Sequence, residues 1–285
     1  MQVDHWVSSI IARLFEDATG QILSEDRIWR IETTLTPFCK ARNIDTIELL
    51  ANRIQRASER DLTTDVVDAL LNNETSFFRD TGAFAQIADD VLPRLARQRA
   101  DRRKLRIWSA ACSTGQEAYS LAMLFEEQGE RWAGWDIEIL GTDISRSAIN
   151  RARDGLYSQF EVQRGLAIRR LLDHFDPVLD QGWRAKPAIG KRITFARHNL
   201  VGPPPAGGKF DLILCRNALL YFAPDRRGEL LQRLSSAIDG EGMLMLGAGE
   251  TATGVSDRFV IDSALPSVYR PAGHDRGSGR ITNAA

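Results

Sequence analysis

The segment from Leu105 to Phe125, LRIWSAACSTGQEAYSLAMLF, constrains this chain more than any other. It opens with an apolar run, Leu105 to Ala111, of the length of a buried strand. The run breaks at Ser113-Thr114-Gly115, and apolar residues resume at helical spacing with Ala118, Leu121, Ala122, Leu124 and Phe125. Strand, glycine turn and helix make the unit that builds nucleotide sites in doubly wound α/β folds. The turn lets backbone approach a ligand, and the helix presents unpaired N–H groups. Two features turn the reading away from a dinucleotide: the turn has one glycine rather than GxGxxG, and an acid, Glu117, stands where a pyrophosphate would lie. An acid there suits a ligand that is cationic at that point and rich in hydroxyl or amine donors, an adenosyl sulfonium rather than a phosphate. On this motif alone a strand–helix turn with no ligand stays open.

The 285 residues suffice for one large or two modest domains, and 43% hydrophobic with 26% charged residues is ordinary for a soluble globular protein. A net charge of −1 exerts no overall pull toward nucleic acid or membrane. The three cysteines, Cys39, Cys112 and Cys215, form no disulfide framework and fit a reducing compartment. Four dispersed histidines without a Cys-x-x-Cys support no metal site. Residues 1–20 alternate charge with apolar residues and read as neither signal peptide nor membrane span, so the expectation is a cytoplasmic protein without membrane insertion.

Residues 3–71 show no strand signal and read as four amphipathic helices, a domain of residues 1–72. Ser24 is expected to cap the second helix, with Pro37 interrupting it near its end. The cluster Asn72 to Asp80 carries Asn73, Thr75 and Arg79, whose donors converge on one ligand if the segment crosses a site mouth. Alternatively Asn73 or Thr75 caps the following helix while Phe77 and Phe78 pack in the core. From Arg94 to Arg106 seven Lys or Arg face one Asp, a solvated helix end or a docking patch for an acidic partner. No aromatics interleave with these charges, which argues against nucleic acid.

Trp135 to Thr142 alternates as a second strand and ends at Asp143, 28 residues after Gly115. An acid there hydrogen-bonds ribose hydroxyls in nucleotide-binding folds, or else caps the helix Ser145–Arg153. A small β-rich insertion at about 173–192 leads to a strand Ile193–Ala196. Phe210–Cys215 is a fourth, strongly apolar strand, whose end sets Asn217 and Tyr221 beside the ligand. A helix Asp225–Ile238 closed by Gly240 and Gly242, a strand Met243–Leu246 and a hairpin of Arg258–Ile261 with Ser267–Arg270 complete a domain of residues 73–271. Residues 272–285 read as a disordered tail. The fold class is α/β: a Rossmann-like, mostly parallel, doubly wound sheet with a small β insertion, preceded by an all-α domain.

Four segments together resemble one family: NETSFFRD (73–80), SAACSTGQEAYSLAM (109–123), GTDISRSAINRAR (141–153) and LCRNALLYF (214–222). The family is that of the chemotaxis receptor methyltransferases, which esterify receptor glutamates using S-adenosylmethionine and release S-adenosylhomocysteine. The resemblance runs to about Tyr269. It implies that Asn73, Thr75 and Arg79 close over the cofactor, that Glu117 meets its methionyl amine and Asp143 its ribose, and that Asn199, Leu200, Arg216 and Asn217 form the adenine and substrate-side shell. Arg79 or Arg216 would orient the acceptor carboxylate and Tyr221 would line its channel. The implied partners are the cytoplasmic helices of methyl-accepting chemoreceptors, met by a monomer. Gln116 and Ala118 stand where the family more often has Glu and Pro. The segment from Phe175 to Gly182 lacks the glycine-bracketed loop of members that tether to a receptor tail, which implies catalysis without tethering.

A glutamate is ionised at neutral pH, so methyl transfer to its oxygen needs no general base, in keeping with the absence of His, Cys and Lys among the candidates. Two other readings remain at this stage: methyl transfer to a different acceptor, and a module that binds the cofactor and docks without turnover.

Overall fold

The computed structural model describes residues 4–24, 27–56 and 59–273. The chain opens with helices α1 (His5–Thr19), α2 (Trp29–Ala41), α3 (Ile47–Gln55) and α4 (Arg60–Leu70). Apolar residues three and four apart put Val7, Ile11 and Phe15 of α1 against Ile31 and Leu35 of α2, Leu50 and Ile54 of α3, and Val66 and Leu70 of α4, in a core of their own. Two local expectations fail. The cap position of α2 falls on Ile28, not Ser24, whose carbonyl instead accepts the Arg27 N–H at 2.8 Å. Pro37 lies inside α2 without ending it, because Leu35 and Cys39 on either side are buried and hold the turn.

A short helix α5 (Thr81–Gln86), a π-helical turn at Ile87–Val91 and α6 (Leu92–Gln98) lead into β1 (Lys104–Ala110), α7 (Gln116–Glu127), β2 (Asp136–Asp143) and α8 (Arg146–Asp154). Next come β3 (Leu156–Tyr157), α9 (Gln159–Gln163), α10 (Ile168–His174), β4 (Phe175–Val178), β5 (Gly182–Ala185), α11 (Pro187–Gly190) and β6 (Ile193–Arg197). The remainder is β7 (Phe210–Cys215), a 3-10 turn at Leu219–Tyr221, α12 (Pro224–Ala237), β8 (Ile238–Leu246), β9 (Phe259–Ile261) and β10 (Val268–Pro271).

Among the described residues the main sheet has seven strands in the order β6-β2-β1-β7-β8-β10-β9. The first five run parallel, and β10 lies antiparallel between β8 and β9. The chain leaves β1 toward β2 on one side and returns to β7 on the other. The carboxyl ends of β1 and β7 therefore flank the crevice in which α/β sheets of this kind bind ligands. Burial on both faces explains why every residue of β7 is buried and why, apart from Asp211, the strand is apolar.

Two strand details differ from the sequence reading. β8 starts at Ile238, directly after α12, so Gly240 and Gly242 lie within it and close no helix; a register irregularity opposite Phe210–Leu212 absorbs them. The small antiparallel sheet, in the order β3-β5-β4, takes one strand from Leu156–Tyr157, outside the expected 173–192. Two residues are too few to show a period. The tail expected over 272–285 lies, from residue 274 on, outside the described residues. Among the described residues no helix is long and apolar enough to cross a membrane.

The basic run is largely spent inside the molecule. Arg99, 6% exposed, donates to Asp211 at 2.7 Å, Glu241 at 2.6 Å and Asp239 at 2.5 Å. Arg102 pairs with the same Asp211, Arg94 with Asp262, and Lys104 and Arg106 with Glu138. The docking reading loses most of its charge to these pairs, which bind α6 and the start of β1 to the base of the sheet.

Candidate active site

Between β1 and α7 the chain turns sharply. Ala111, Ser113 and Gly115 all have left-handed φ, 60°, 52° and 94°. At Gly115 a Cβ would lie 2.9 Å from the Ala152 Cβ and 3.0 Å from the Phe195 ring, so only glycine lets α7 start this close to α8 and β6. Left-handed backbone at non-glycine residues costs on the order of 1–3 kcal/mol each and gathers at functional sites. Asn217 (φ 56°), Phe78 (φ 49°) and Asp80 (φ 61°) add three more around the same crevice.

That crevice is a cleft at the carboxyl ends of β1, β2 and β7, where sheets of this kind bind ligands. The ten residues singled out from the sequence all line it: Asn73, Thr75 and Arg79; Glu117; Asp143; Asn199 and Leu200; Arg216, Asn217 and Tyr221. Gln21, Leu71 and Asn72, on the side of the helical domain, line it too, as do Ser113 and His198.

Asp143 ends β2 with its side chain turned into the sheet end, 8% exposed. Its Oδ2 accepts the Ser113 N–H at 2.8 Å and its Oδ1 the Ser145 N–H at 2.9 Å. Burial pushes this carboxyl up, and the N–H groups of Ser145 and Ser113 work against the rise. It does not cap α8: Ser145 does, accepting the Ala148 N–H at 3.1 Å. A carboxylate has about four lone-pair sites, so Asp143 can hold the glycine-turn loop and still accept from a diol.

Glu117, in the first turn of α7, accepts from the Ser109 hydroxyl at 2.8 Å and from Arg216 Nη1 at 3.1 Å. The Arg216 side chain, 2% exposed, also donates through Nη2 to Asp80 at 2.7 Å and to the Arg79 carbonyl at 2.9 Å. Arg216 is thus committed to holding α7, the 73–80 loop and the end of β7 together. Of the two arginines expected to orient an acceptor, Arg79 or Arg216, it is Arg216 that already carries these three partners. Only its buried Nε lacks a partner among the described residues. Arg79, by contrast, donates to the Glu74 carbonyl at 3.1 Å and takes part in no ion pair among the described residues.

The 73–80 loop is fixed at both ends. Phe77 and Phe78 are buried, and the Phe78 N–H donates to Ser120 Oγ at 2.9 Å. The Asn73 carbonyl accepts from Ser113 Oγ at 2.6 Å, and its Nδ2 donates to Ser145 Oγ at 3.3 Å. Neither Asn73 nor Thr75 caps the next helix, since the cap position of α5 is Asp80. Asn72 donates to the Tyr221 hydroxyl, and the Tyr221 carbonyl accepts the Ile22 N–H at 2.8 Å. Asn199 donates to the Ala18 carbonyl at 3.3 Å. The helical domain therefore forms one wall of the cleft.

The polar groups of the cleft fit S-adenosylmethionine: acceptor carboxylates at Asp143 and Glu117, which suit a ribose diol and an ammonium group, and a buried unpartnered N–H on Arg216. Sequence reasoning missed Gln21, Leu71 and Asn72, whose contacts across the chain leave no local pattern. It also missed Glu250, which binds the backbone around Asn217.

Residues 73–264 match the CheR methyltransferase, SAM binding domain family. The chain is 34% identical over 259 residues to a chemotaxis protein methyltransferase of Vibrio parahaemolyticus, covering 90% of this chain and 93% of that one. It is 35% identical over 260 residues to chemotaxis protein methyltransferase Cher2 of Pseudomonas putida, covering 90% and 94%. Against chemotaxis protein methyltransferase 1 of Pseudomonas aeruginosa the identity is 36% over 267 residues, covering 90% and 95%.

Proposed function

Since the chain belongs to the CheR methyltransferase family, and is thereby an enzyme dependent on S-adenosylmethionine, we propose that its cleft serves the methyl esterification of glutamate side chains on chemoreceptor cytoplasmic helices. The observation that carries the reading is the pair of carboxylates, Asp143 and Glu117, facing one cleft at the carboxyl ends of β2 and β1.

When bound, S-adenosylmethionine supplies a methyl group on a positively charged sulfur. Asp143 receives the ribose hydroxyls on its spare lone pairs, and Glu117 faces the amine. Asn199 and Leu200 border the adenine, with Asn217 beside them. Arg79 orients the incoming glutamate, because Arg216 is occupied by Glu117 and Asp80. Contact with Arg79 has to stay loose, since a tight pair would draw charge from the attacking oxygen. The acceptor is already an anion near neutral pH, so no residue has to remove a proton. Tyr221, Asn72 and Leu71 line the remaining mouth and limit water around the reacting charges.

We place the helical domain at 1–72 and the cofactor domain at 73–271, its small sheet running from Leu156 to Ala185. We propose that the chain acts as a monomer. Receptor-tail tethering is absent from this reading. Peptide capture by strand addition needs an open edge rich in N–H donors, and the edge strand β4 carries Pro177 and turns after Val178 into β5 at Gly182.

The test uses a receptor cytoplasmic fragment with and without its C-terminal tail, S-adenosylmethionine, and peptide mapping by mass. Methyl groups on glutamates at similar rates for both fragments support the reading. Methylation lost with the tail overturns the untethered part, and cofactor binding with no methylated glutamate overturns the whole.

A further inference from the structure

One carboxylate behind the cleft ties together the ends of two central strands. Glu250 lies in the turn after β8. Its Oε2 accepts the Asn217 N–H at 2.7 Å and the Gly247 N–H at 2.9 Å. Its Oε1 accepts the Leu219 N–H at 2.7 Å and, at 3.4 Å, that of Leu220. No ion pair among the described residues involves Glu250, so its charge is met by backbone donors. Asn217 and Leu219 follow β7, while Gly247 follows β8, so the side chain bridges adjacent parallel strands. At Gly247 a Cβ would lie 2.8 Å from Glu250 Oε2 and 2.9 Å from the Asn217 nitrogen, so the bridge requires a residue without a side chain there.

The bridged segment carries two cleft residues. Asn217 is held with φ 56°, in the left-handed region, and Tyr221 ends the 3-10 turn whose first N–H groups Glu250 takes. Without an acceptor at that point, the buried N–H groups would seek other partners and the turn would relax. We propose that Glu250 is a positioning residue that sets Asn217 and Tyr221 in the cleft, and that a carboxylate is required because every partner is a donor. The inference rests on the reading that this cleft holds S-adenosylmethionine. An amide of the same shape would turn its NH2 toward one pair of N–H groups, whereas aspartate keeps the acceptors on a shorter stem.

The experiment compares the full-length parent with Glu250→Gln, Glu250→Asp, Asn217→Ala and the double variant Glu250→Gln/Asn217→Ala. S-adenosylhomocysteine affinity is read by calorimetry and methyl transfer to a receptor fragment by steady-state rates, with folding checked by urea unfolding. Hydrogen bonds to a charged acceptor predict that Glu250→Gln loses roughly tenfold to a hundredfold in affinity, with kcat also reduced. Glu250→Asp should recover part of that loss. In the Asn217→Ala background Glu250→Gln should add at most about a twofold further loss in affinity, as coupled neighbours do. A folded Glu250→Gln with parental affinity and kcat overturns the proposal, as does full multiplicativity with Asn217→Ala. Should Glu250→Gln fail to fold, a folded Glu250→Asp with an affinity between those of the parent and Asn217→Ala supports the proposal, and one with parental affinity and kcat overturns it. A parent that fails to bind S-adenosylhomocysteine refutes instead the cofactor reading on which the inference stands.

Discussion

Asp68 of α4 accepts the backbone N–H of Arg146, the first residue of α8, at 2.8 Å, and that of Ser147 at 3.2 Å. The helical domain thereby caps a helix of the cofactor domain. Ser145 takes the third N–H, so the leading donors of α8 are satisfied jointly from two domains. Asp65 adds an ion pair to Arg146 at 2.5 Å. Loss of a helix cap costs about 0.5–2 kcal/mol. Asp68→Ala should lose that much in equilibrium urea unfolding and weaken cofactor binding through the Asp143–Ser145 turn. An unchanged unfolding midpoint and unchanged affinity would show that the cap from α4 is without effect.

Arg99 and Arg97 are two residues apart in the same basic run but stand in opposite positions. Arg99 is buried among Asp211, Asp239 and Glu241, whereas Arg97 is exposed. Removing one partner of a buried charge network costs about 3–5 kcal/mol. Arg99→Ser should lower stability by that order and Arg97→Ser by less than about 0.5 kcal/mol, as surface changes do. Denaturant unfolding of both variants checks the contrast, and equal stabilities would contradict it.

Asp143→Ala should lose cofactor affinity and stability together. It removes the acceptor for the Ser113 and Ser145 N–H groups as well as for ribose hydroxyls. A buried group left unsatisfied costs about 1–3 kcal/mol. Calorimetry with S-adenosylhomocysteine, run beside thermal unfolding, checks both effects. Full affinity in the folded variant would remove Asp143 from the site.

Glu127, at the end of α7, should make the contact with α10 sensitive to acid. Burial alone would raise its carboxyl, but His174 at 3.7 Å and Arg170 at 2.7 Å outweigh it and hold the group at about 2. A carboxyl depressed in the folded state contributes stability above its unfolded value, near 4.5, and loses it as pH falls toward about 2. Glu127→Gln should therefore be less stable than the parent at neutral pH, and the difference should shrink through that window. A difference that stays constant with pH would assign it to packing.

Where a signal is local, the sequence shows it. The Leu105–Phe125 unit, the acid at the end of the second strand and the four leading helices each rest on a period or a turn residue within a short window. The apolar residues Leu212 to Cys215 of β7 likewise mark a strand buried on both faces. Arg99 looked like any charge in a basic run, because its partners Asp211, Asp239 and Glu241 lie more than a hundred residues on. Glu250 sits in the glycine-rich stretch GAGET, where nothing marks an acid as the acceptor for backbone beyond its own turn. Asn72 and Gln21 line the cleft only because α1 and α4 dock on the sheet end, a tertiary fact with no periodic trace.

The most direct measurement is the fate of labelled methyl groups. The chain is incubated with methyl-labelled S-adenosylmethionine and a receptor cytoplasmic fragment, and the recovered fragment is treated with mild base. The account predicts label on the fragment that is released as volatile methanol, and label that is lost when the receptor's methylated glutamates are replaced by alanine. Label that survives base, or that persists on the alanine-substituted fragment, would contradict esterification of receptor glutamates by this cleft.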